Sequence, residues 1–314
     1  RTVKEQVLNL THEQKTDLWK ALQENYLPEN RVYKYDFFFD NCATRIRDVM
    51  QNVIGEKLVL KAHPNENEYS LRELLNIAVS DLPWLGLGMD LALGSKVDIK
   101  ADNNKMMFLP KYMYEIYTDS EVLINGKAQP LVLSERTLIN GINHEAESSF
   151  WSSPNFIFWS LFFISIPLTI TKIRFLTKFW DGLILLIFGV LGFVILFLWF
   201  GTDHATMSPN FNVLWANPFY LFFIIPLMSK KLHDKLNKAY LGMSVLLILV
   251  IFGAMIIPQE FNSATSPIIL IFTFKFFFSQ SSKNRTIPRI LYSHFIGSIF
   301  SLVCVWIFLY SRPG

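Results

Sequence analysis

Past residue 150 the chain largely stops carrying charge. Of its 55 Asp, Glu, Lys and Arg residues, 39 fall in residues 1–150 and only 16 in the rest. Apolar runs occupy about 155–171, 182–200, 213–228, 239–257, 265–279 and 290–310, most of them near the roughly 20 residues that cross a hydrocarbon core. Backbone in lipid must satisfy its own hydrogen bonds, so the runs predict helices. The chain therefore divides into a soluble domain over 1–150 and a membrane domain over 151–314, an all-α bundle of about six transmembrane helices of which the fifth is the shortest. Lys275 is the one charge inside a run; near a helix end it reads as a snorkelling side chain. A net charge of +3 averages two unlike environments, and without a Gly-rich phosphate loop the sequence gives no sign of a nucleic-acid or nucleotide partner.

Basic residues orient the bundle. Lys172, Arg174 and Lys178 lie between the first two runs, Lys230, Lys231, Lys235 and Lys238 between the third and fourth, and Lys283, Arg285 and Arg289 between the fifth and sixth. These loops are predicted to be cytoplasmic. The intervening GTDHATMSPNFN (201–212) and PQEFNSA (258–264) contain no Lys or Arg and face outward. An even number of spans puts both chain ends outside too, so the soluble domain is extracytoplasmic and the protein is a multi-pass protein of the bacterial inner membrane with its N-terminal domain and C-terminus in the periplasm. The chain opens on Arg1 with no signal peptide, from which an upstream export segment is expected.

In the soluble part, LTHEQKTDLWKAL predicts a helix, with Thr11 and Gln14 fitting a capping box. Ser70 and Glu73 repeat that signal before SLRELLNIAV, and EVLINGKAQPLVL reads as a hairpin turning at Asn125-Gly126. The aromatic stretch Arg31 to Phe39 predicts an extended strand running into Asp40-Asn41-Cys42. Ile46, Val49 and Met50 then recur at helical spacing with Asn41 as N-cap, so Cys42 falls on the first turn of a helix.

Cys42 and Cys304 are the two cysteines of the chain, one in each part, so no disulfide framework is expected and Cys42 reads as a free thiol. A helix N-terminus with Arg45 and Arg47 nearby would favour a thiolate. The alternative is a small buried core residue, the commonest state of free cysteine. His12 sits on a helix's first turn and His63 and His144 in polar loops, none a convincing base; His233 and His294 fall on the wrong side or depth, and Cys304 reads as an apolar membrane residue. A second constellation follows from topology. Asp203, His204, Asn210, Asn212, Trp215, Gln259, Glu260 and Asn262 all lie at the outer ends of the predicted spans, on the side of Cys42. They read either as a membrane-face site for a lipid headgroup or an incoming amine, with His204 handling a proton, or as helix capping and loop solvation. Asp and His at adjacent positions are a weak ligand signal; no metal and no cofactor is expected.

The strings LNLTHEQKTDLWKALQENYLPENRVYKYDFFFDNCATRIRDVM, FLP (108–110), FGTDHATMSPNFNVLWANP and PQEFN resemble the Lnb family of lipoprotein N-acyltransferases from Bacteroidota over nearly the whole chain. The resemblance implies an α+β papain-like extracytoplasmic domain of permuted type, followed by the membrane domain. It implies Cys42 as nucleophile, with a partner histidine upstream of residue 1. On that reading the papain-like domain is incomplete and the fragment inactive. Asn41 and Arg45 read as supporting residues, and Tyr33 or Tyr35 could serve the oxyanion beside the Cys42 N–H, the alternative for alternating tyrosines being packing. The implied reaction moves an acyl chain from a membrane phospholipid, through a Cys42 thioester, to the N-terminal amine of bacterial diacylglyceryl-cysteine lipoproteins. Two other classes remain open: a membrane-anchored papain-like cysteine hydrolase of cell-wall peptides, and a non-enzymatic membrane sensor or assembly protein in which Cys42 is structural.

Overall fold

The computed structural model describes residues 2–141, 149–171, 173–254 and 256–281. They form two compact units. The first gathers 2–82, 95–141 and 204–208; the second gathers 83–94, 149–203 and 209–281. Sequence order and contact grouping thus part company at residues 83–94, which lie in the soluble half by charge but pack with the apolar one.

The first unit mixes short helices with two small sheets. Strand β1 (Val3–Leu8) is followed by α1 (His12–Tyr26), α2 (Cys42–Ile54), β2 (Leu58–Val59) and α3 (Leu71–Ala78). Helix α4 (Pro83–Ala92) belongs to the second unit; α5 (Asn103–Met106), α6 (Pro110–Asp119), β3 (Glu121–Ile124), β4 (Lys127–Pro130) and β5 (Val132–Ile139) complete the first. β1 pairs antiparallel with β5, bringing Glu5 opposite Arg136, while β2, β3 and β4 form an antiparallel sheet in that order. The helix starts are where capping chemistry places them. Thr11 Oγ1 accepts the Gln14 N–H as Gln14 Oε1 accepts that of Thr11, and Ser70 with Glu73 does the same before α3, each box satisfying two otherwise orphaned donors. Asn125 (φ 53°) and Gly126 (φ 75°) turn β3 into β4, the left-handed pair of a type I′ hairpin. Leu71, Leu74, Val97, Met106, Met107, Phe108, Ile116, Val122 and Leu131 are fully buried, each worth about 1.5–3 kcal/mol of apolar burial.

The aromatic stretch before Cys42 departs from expectation. Arg31 to Phe39 is not a strand; chain regularity there is limited to a bridge between Asp36 and Asp40, closed by one N–H···O bond in each direction, 3.0 Å from Asp36 N–H and 3.1 Å from Asp40 N–H. The Asp36 carboxylate accepts the N–H groups of Phe38 and Phe39, both at 3.0 Å. An aspartate that captures backbone two and three residues on bends the chain locally, and that outweighs the strand preference of the aromatic rings.

The second unit is helical. α7 (Pro154–Thr171), α8 (Arg174–Gly201), α9 (Tyr220–Met228), α10 (Lys230–Lys235), α11 (Asn237–Gly253) and α12 (Ser266–Ser281) pack with α4. Among the described residues one helix, spanning Phe175–Gly201, is by itself long and apolar enough to cross a membrane, and Pro154–Thr169, Lys238–Gly253 and Ser263–Phe277 are shorter apolar segments. The expected third span over 213–228 is not one helix. A 3-10 turn, Phe211–Leu214, gives way at Asn217-Pro218 before α9 begins, because proline has no N–H to continue the ladder. Gly192 of α8 lets that bend approach: a Cβ there would lie 2.3 Å from the Ala216 carbonyl oxygen. Lys275 of α12 also departs from expectation, since it does not snorkel alone but forms an ion pair with Asp181 of α8. The predicted sixth span, with His294 and Cys304, and likewise His144, lie outside the described residues, as does the His233 side chain.

Candidate functional site

Cys42 is the first residue of α2, and its side chain is exposed. The structure therefore excludes the buried-core alternative for this thiol. Asn41, itself 5% exposed, holds the helix start. Its Oδ1 accepts the N–H groups of Ala43 and Thr44 at 2.8 and 2.9 Å, and its own N–H donates to Thr44 Oγ1 at 2.7 Å. Its Nδ2 donates to the carbonyls of Phe37 (2.8 Å) and Phe108 (2.9 Å). One carboxamide thus fixes the helix N-terminus, the aromatic loop ahead of it and the Phe-Leu-Pro segment 67 residues on. Phe38 and Phe108 pack behind it with ring centroids 4.9 Å apart. Because Asn41 takes the second and third N–H groups of the helix, the N–H of Cys42 is left without a protein acceptor among the described residues. A helix N-terminus then offers an unspent donor beside an exposed sulfur.

The arginines contribute differently from expectation. Arg45 makes a fork to Asp40, with Nε–Oδ1 2.5 Å and Nη2–Oδ2 2.9 Å, and its guanidinium lies 4.1 Å from the centre of the Tyr33 ring. The Asp40 hydrogen bond raises the Arg45 pKa further. Arg47 is held by Asp48 at 2.6–2.7 Å and by the Asn104 carbonyl at 2.6 Å. Both charges are neutralised by carboxylates, so they position the Cys42 loop more than they electrify it. Tyr33 and Tyr35 stand with ring centroids 6.4 Å apart. The Tyr35 hydroxyl is held above the usual tyrosine range, first by desolvation and then by charge on Cys42, so it stays a protonated donor at neutral pH. Exposed Phe39 and Ile46 complete the immediate surroundings in sequence, Ile46 one turn beyond the thiol on the same helix. His63 is committed elsewhere: Nδ1 accepts the Asn65 N–H at 3.1 Å, Nε2 lies 3.4 Å from Glu115, and its ring meets Tyr112 edge-on. His12 is exposed at the first residue of α1.

The eight polar residues of the two loops expected to face outward divide into two groups. Asn210, Asn212, Trp215 and Gln259 are buried in the second unit. Asn210 Nδ2 donates to the carbonyls of Leu91 (2.8 Å) and Ala92 (3.0 Å), and Asn212 Nδ2 to that of Asp90 (3.0 Å). Asn262 Nδ2 reaches Asp90 Oδ2 at 2.8 Å. Trp215 Nε1 donates to Asn212 Oδ1 at 3.0 Å, and Gln259 Oε1 accepts the Phe211 N–H at 2.7 Å. The terminal carbonyls of α4, which a helix cannot satisfy itself, are capped by this set of amides. Asp203, His204 and Glu260 remain exposed; His204 groups with the first unit and Asp203 with the second. No group of three metal-ligating side chains occurs among the described residues. Neither the Phe108 anchor of Asn41 nor the role of α4 could be read from sequence, since both rest on contacts between residues far apart in the chain.

An α+β domain that presents a thiol on a helix N-terminus, followed by a helical apolar domain, defines a membrane protein with a globular domain outside the bilayer. Residues 1–76 match the family model described as the Lnb N-terminal periplasmic domain, and residues 145–286 match that of the Lnb transmembrane domain. The chain belongs to the Lnb family, and its N-terminal domain is periplasmic. Comparison with curated proteins and with solved structures gave no match.

Proposed function

We propose that this Lnb-family protein is an acyltransferase that moves an acyl chain from a membrane phospholipid, through a thioester on Cys42, to the N-terminal amine of a diacylglyceryl-cysteine lipoprotein. The observation that carries the reading is the exposed Cys42 thiol beside its own unspent N–H, on a helix start clamped by Asn41. In the first half-reaction the thiolate adds to the ester carbonyl, and the Cys42 N–H and the Tyr35 hydroxyl face the oxygen that gains charge. The C–O bond breaks, and the lysophospholipid leaves as an alcohol carrying the proton the thiol gave up. In the second, the lipoprotein amine adds to the thioester carbonyl, the C–S bond breaks, and the nitrogen's proton returns to sulfur as the amide forms. His204 is our candidate to carry that proton, being exposed where His63 is spent. The domain is read as a permuted papain-like fold with α2 as its nucleophile helix, and the protein as multi-pass in the inner membrane with its C-terminus periplasmic.

Incubating the protein with phospholipid labelled in the acyl chain should leave a hydroxylamine-sensitive label on the peptide containing Cys42. Cys42→Ser should lose both that label and triacylated lipoprotein N-termini while still inserting in membranes, because a serine hydroxyl is a far weaker nucleophile at neutral pH. Triacylated product from the serine variant would exclude the mechanism. Cleavage of a cell-wall peptide without acyl label would identify a hydrolase instead. Transfer of the acyl label from Cys42 to a lipoprotein amine by His204→Ala at the wild-type rate would remove His204 from the second half-reaction.

A further inference from the structure

Helix α4 has the composition of neither a soluble surface helix nor a membrane span. Its sequence, PWLGLGMDLA, contains no Lys or Arg, and its one charge, Asp90, is buried. Its last turn is pinned by Asn210, Asn212 and Asn262, in loops that connect the apolar helices. Its first turn is pinned as well: Trp84 Nε1 donates to the Ser152 carbonyl at 2.7 Å, and the Trp84 ring meets Phe158 of α7 edge-on at 5.9 Å. Ser152 lies two residues before Pro154, the start of α7.

What α4 leaves uncovered is apolar and aromatic. Trp84 and Leu85 are each 46% exposed, and beside them in the turn Phe150–Ser152 stand Phe150 at 67% and Trp151 at 70%. The Trp151 ring also meets Phe156 in the first turn of α7 edge-on, and the Phe150 ring meets it at a tilt, with centroids 4.9 and 5.4 Å apart. Tryptophan rings such as Trp84 and Trp151, apolar in body with an N–H at one edge, collect where hydrocarbon meets headgroup. The patch is continuous with the start of α7, an apolar helix without Asp, Glu, Lys or Arg. A helix without exposed charge, tethered at both of its ends to the loops and first turn of apolar helices, is suited to the bilayer boundary.

We propose that α4 and the turn Phe150–Ser152 together form an interfacial collar, seated in the headgroup–acyl boundary of the periplasmic leaflet with Leu85 and Trp151 toward lipid. The collar is independent of the chemistry at Cys42. In the full 314-residue chain carrying Cys42→Ser and Cys304→Ser, nitroxide labels at Leu85→Cys and Trp151→Cys would be compared in phosphatidylethanolamine–phosphatidylglycerol nanodiscs with a label at Lys127→Cys, on the β3–β4 hairpin. The collar requires collision with oxygen to exceed collision with a nickel chelate several-fold at 85 and 151, and the reverse at 127. Nickel access at 85 and 151 equal to that at 127 would overturn it in favour of a water-facing surface, and exclusion of both relaxers would overturn it in favour of a protein cover. Should a cysteine variant fail to fold, dibrominated lipid gives a second reading: the quenchable tryptophan emission of the unlabelled chain must fall in Trp84→Phe and in Trp151→Phe, and an unchanged quenchable fraction in both overturns the proposal.

Discussion

Carboxamides close two helix ends in this protein, with opposite results. At the start of α2, Asn41 spends every polar atom of its own side chain yet leaves the Cys42 N–H and sulfur unspent. At the end of α4, Asn210, Asn212, Gln259 and Asn262 bring more polar atoms together, and nearly all are buried and consumed by carbonyls and by one another. A dense polar cluster is therefore a poor guide to chemistry; what matters is which hydrogen-bonding capacity is left over.

The contrast is sharpest where charge is involved. Lys275 and Asp181 are a closed pair between α12 and α8, so Lys275→Ala, which strands the carboxylate, should cost about 3–5 kcal/mol. Lys275→Met combined with Asp181→Leu should recover most of that, as thermal unfolding in detergent would report. A single variant as stable as wild type would show that the pair is not closed.

Asn41→Ala should come next, at about 2–3 kcal/mol, because it removes a cap and two buried donors together. It should slow Cys42 labelling by acyl donor far more than the stability loss explains. Asn212→Ala should cost about 1–3 kcal/mol by removing its bonds to the Asp90 carbonyl and the Trp215 N–H, without changing the rate of Cys42 labelling per folded molecule. Equal effects of the two variants on that rate would erase the distinction between the open and the closed helix end.

The smallest effect concerns a polar atom with nothing to do. The Tyr117 hydroxyl is buried with no hydrogen-bond partner among the described residues, and burial pushes its pKa up to about 12. Tyr117→Phe should be neutral or stabilising by up to about 1 kcal/mol. Tyr117 holds its proton in the folded state after the unfolded chain has lost it, so its contribution is whole below pH 10 and disappears as pH rises toward 12. The phenylalanine variant should show a shallower loss of unfolding temperature across that window.

How legible each feature was depends on the reach of the interaction behind it. The starts of α1, α2 and α3 and the Asn125-Gly126 turn were readable, because capping boxes and left-handed turns are settled within about four residues. The loop over 36–40 was missed although it is equally local, since a single aspartate oxygen outweighs a run of strand-forming rings. The break at Asn217-Pro218 was present in the sequence but masked by the hydropathy around it. The Phe108 anchor of Asn41 and the α4 caps, bridging 67 and about 120 residues, left no periodic trace. The partner of Lys275 was hidden for a related reason: Asp181 sits one residue before the apolar run that defined the second span.

The closure of α4 also sets an order of events during biosynthesis. Residues 83–94 leave the ribosome more than 100 residues before the amides that cap them, and long-range contacts of that kind pay their loop-closure entropy late. Until positions 210, 212, 259 and 262 have been made and have folded against it, the last carbonyls of α4 lack these caps. The helix is thus a latch whose catch is manufactured last, and a nascent chain that stalls before residue 262 holds an apolar segment that nothing has yet fastened.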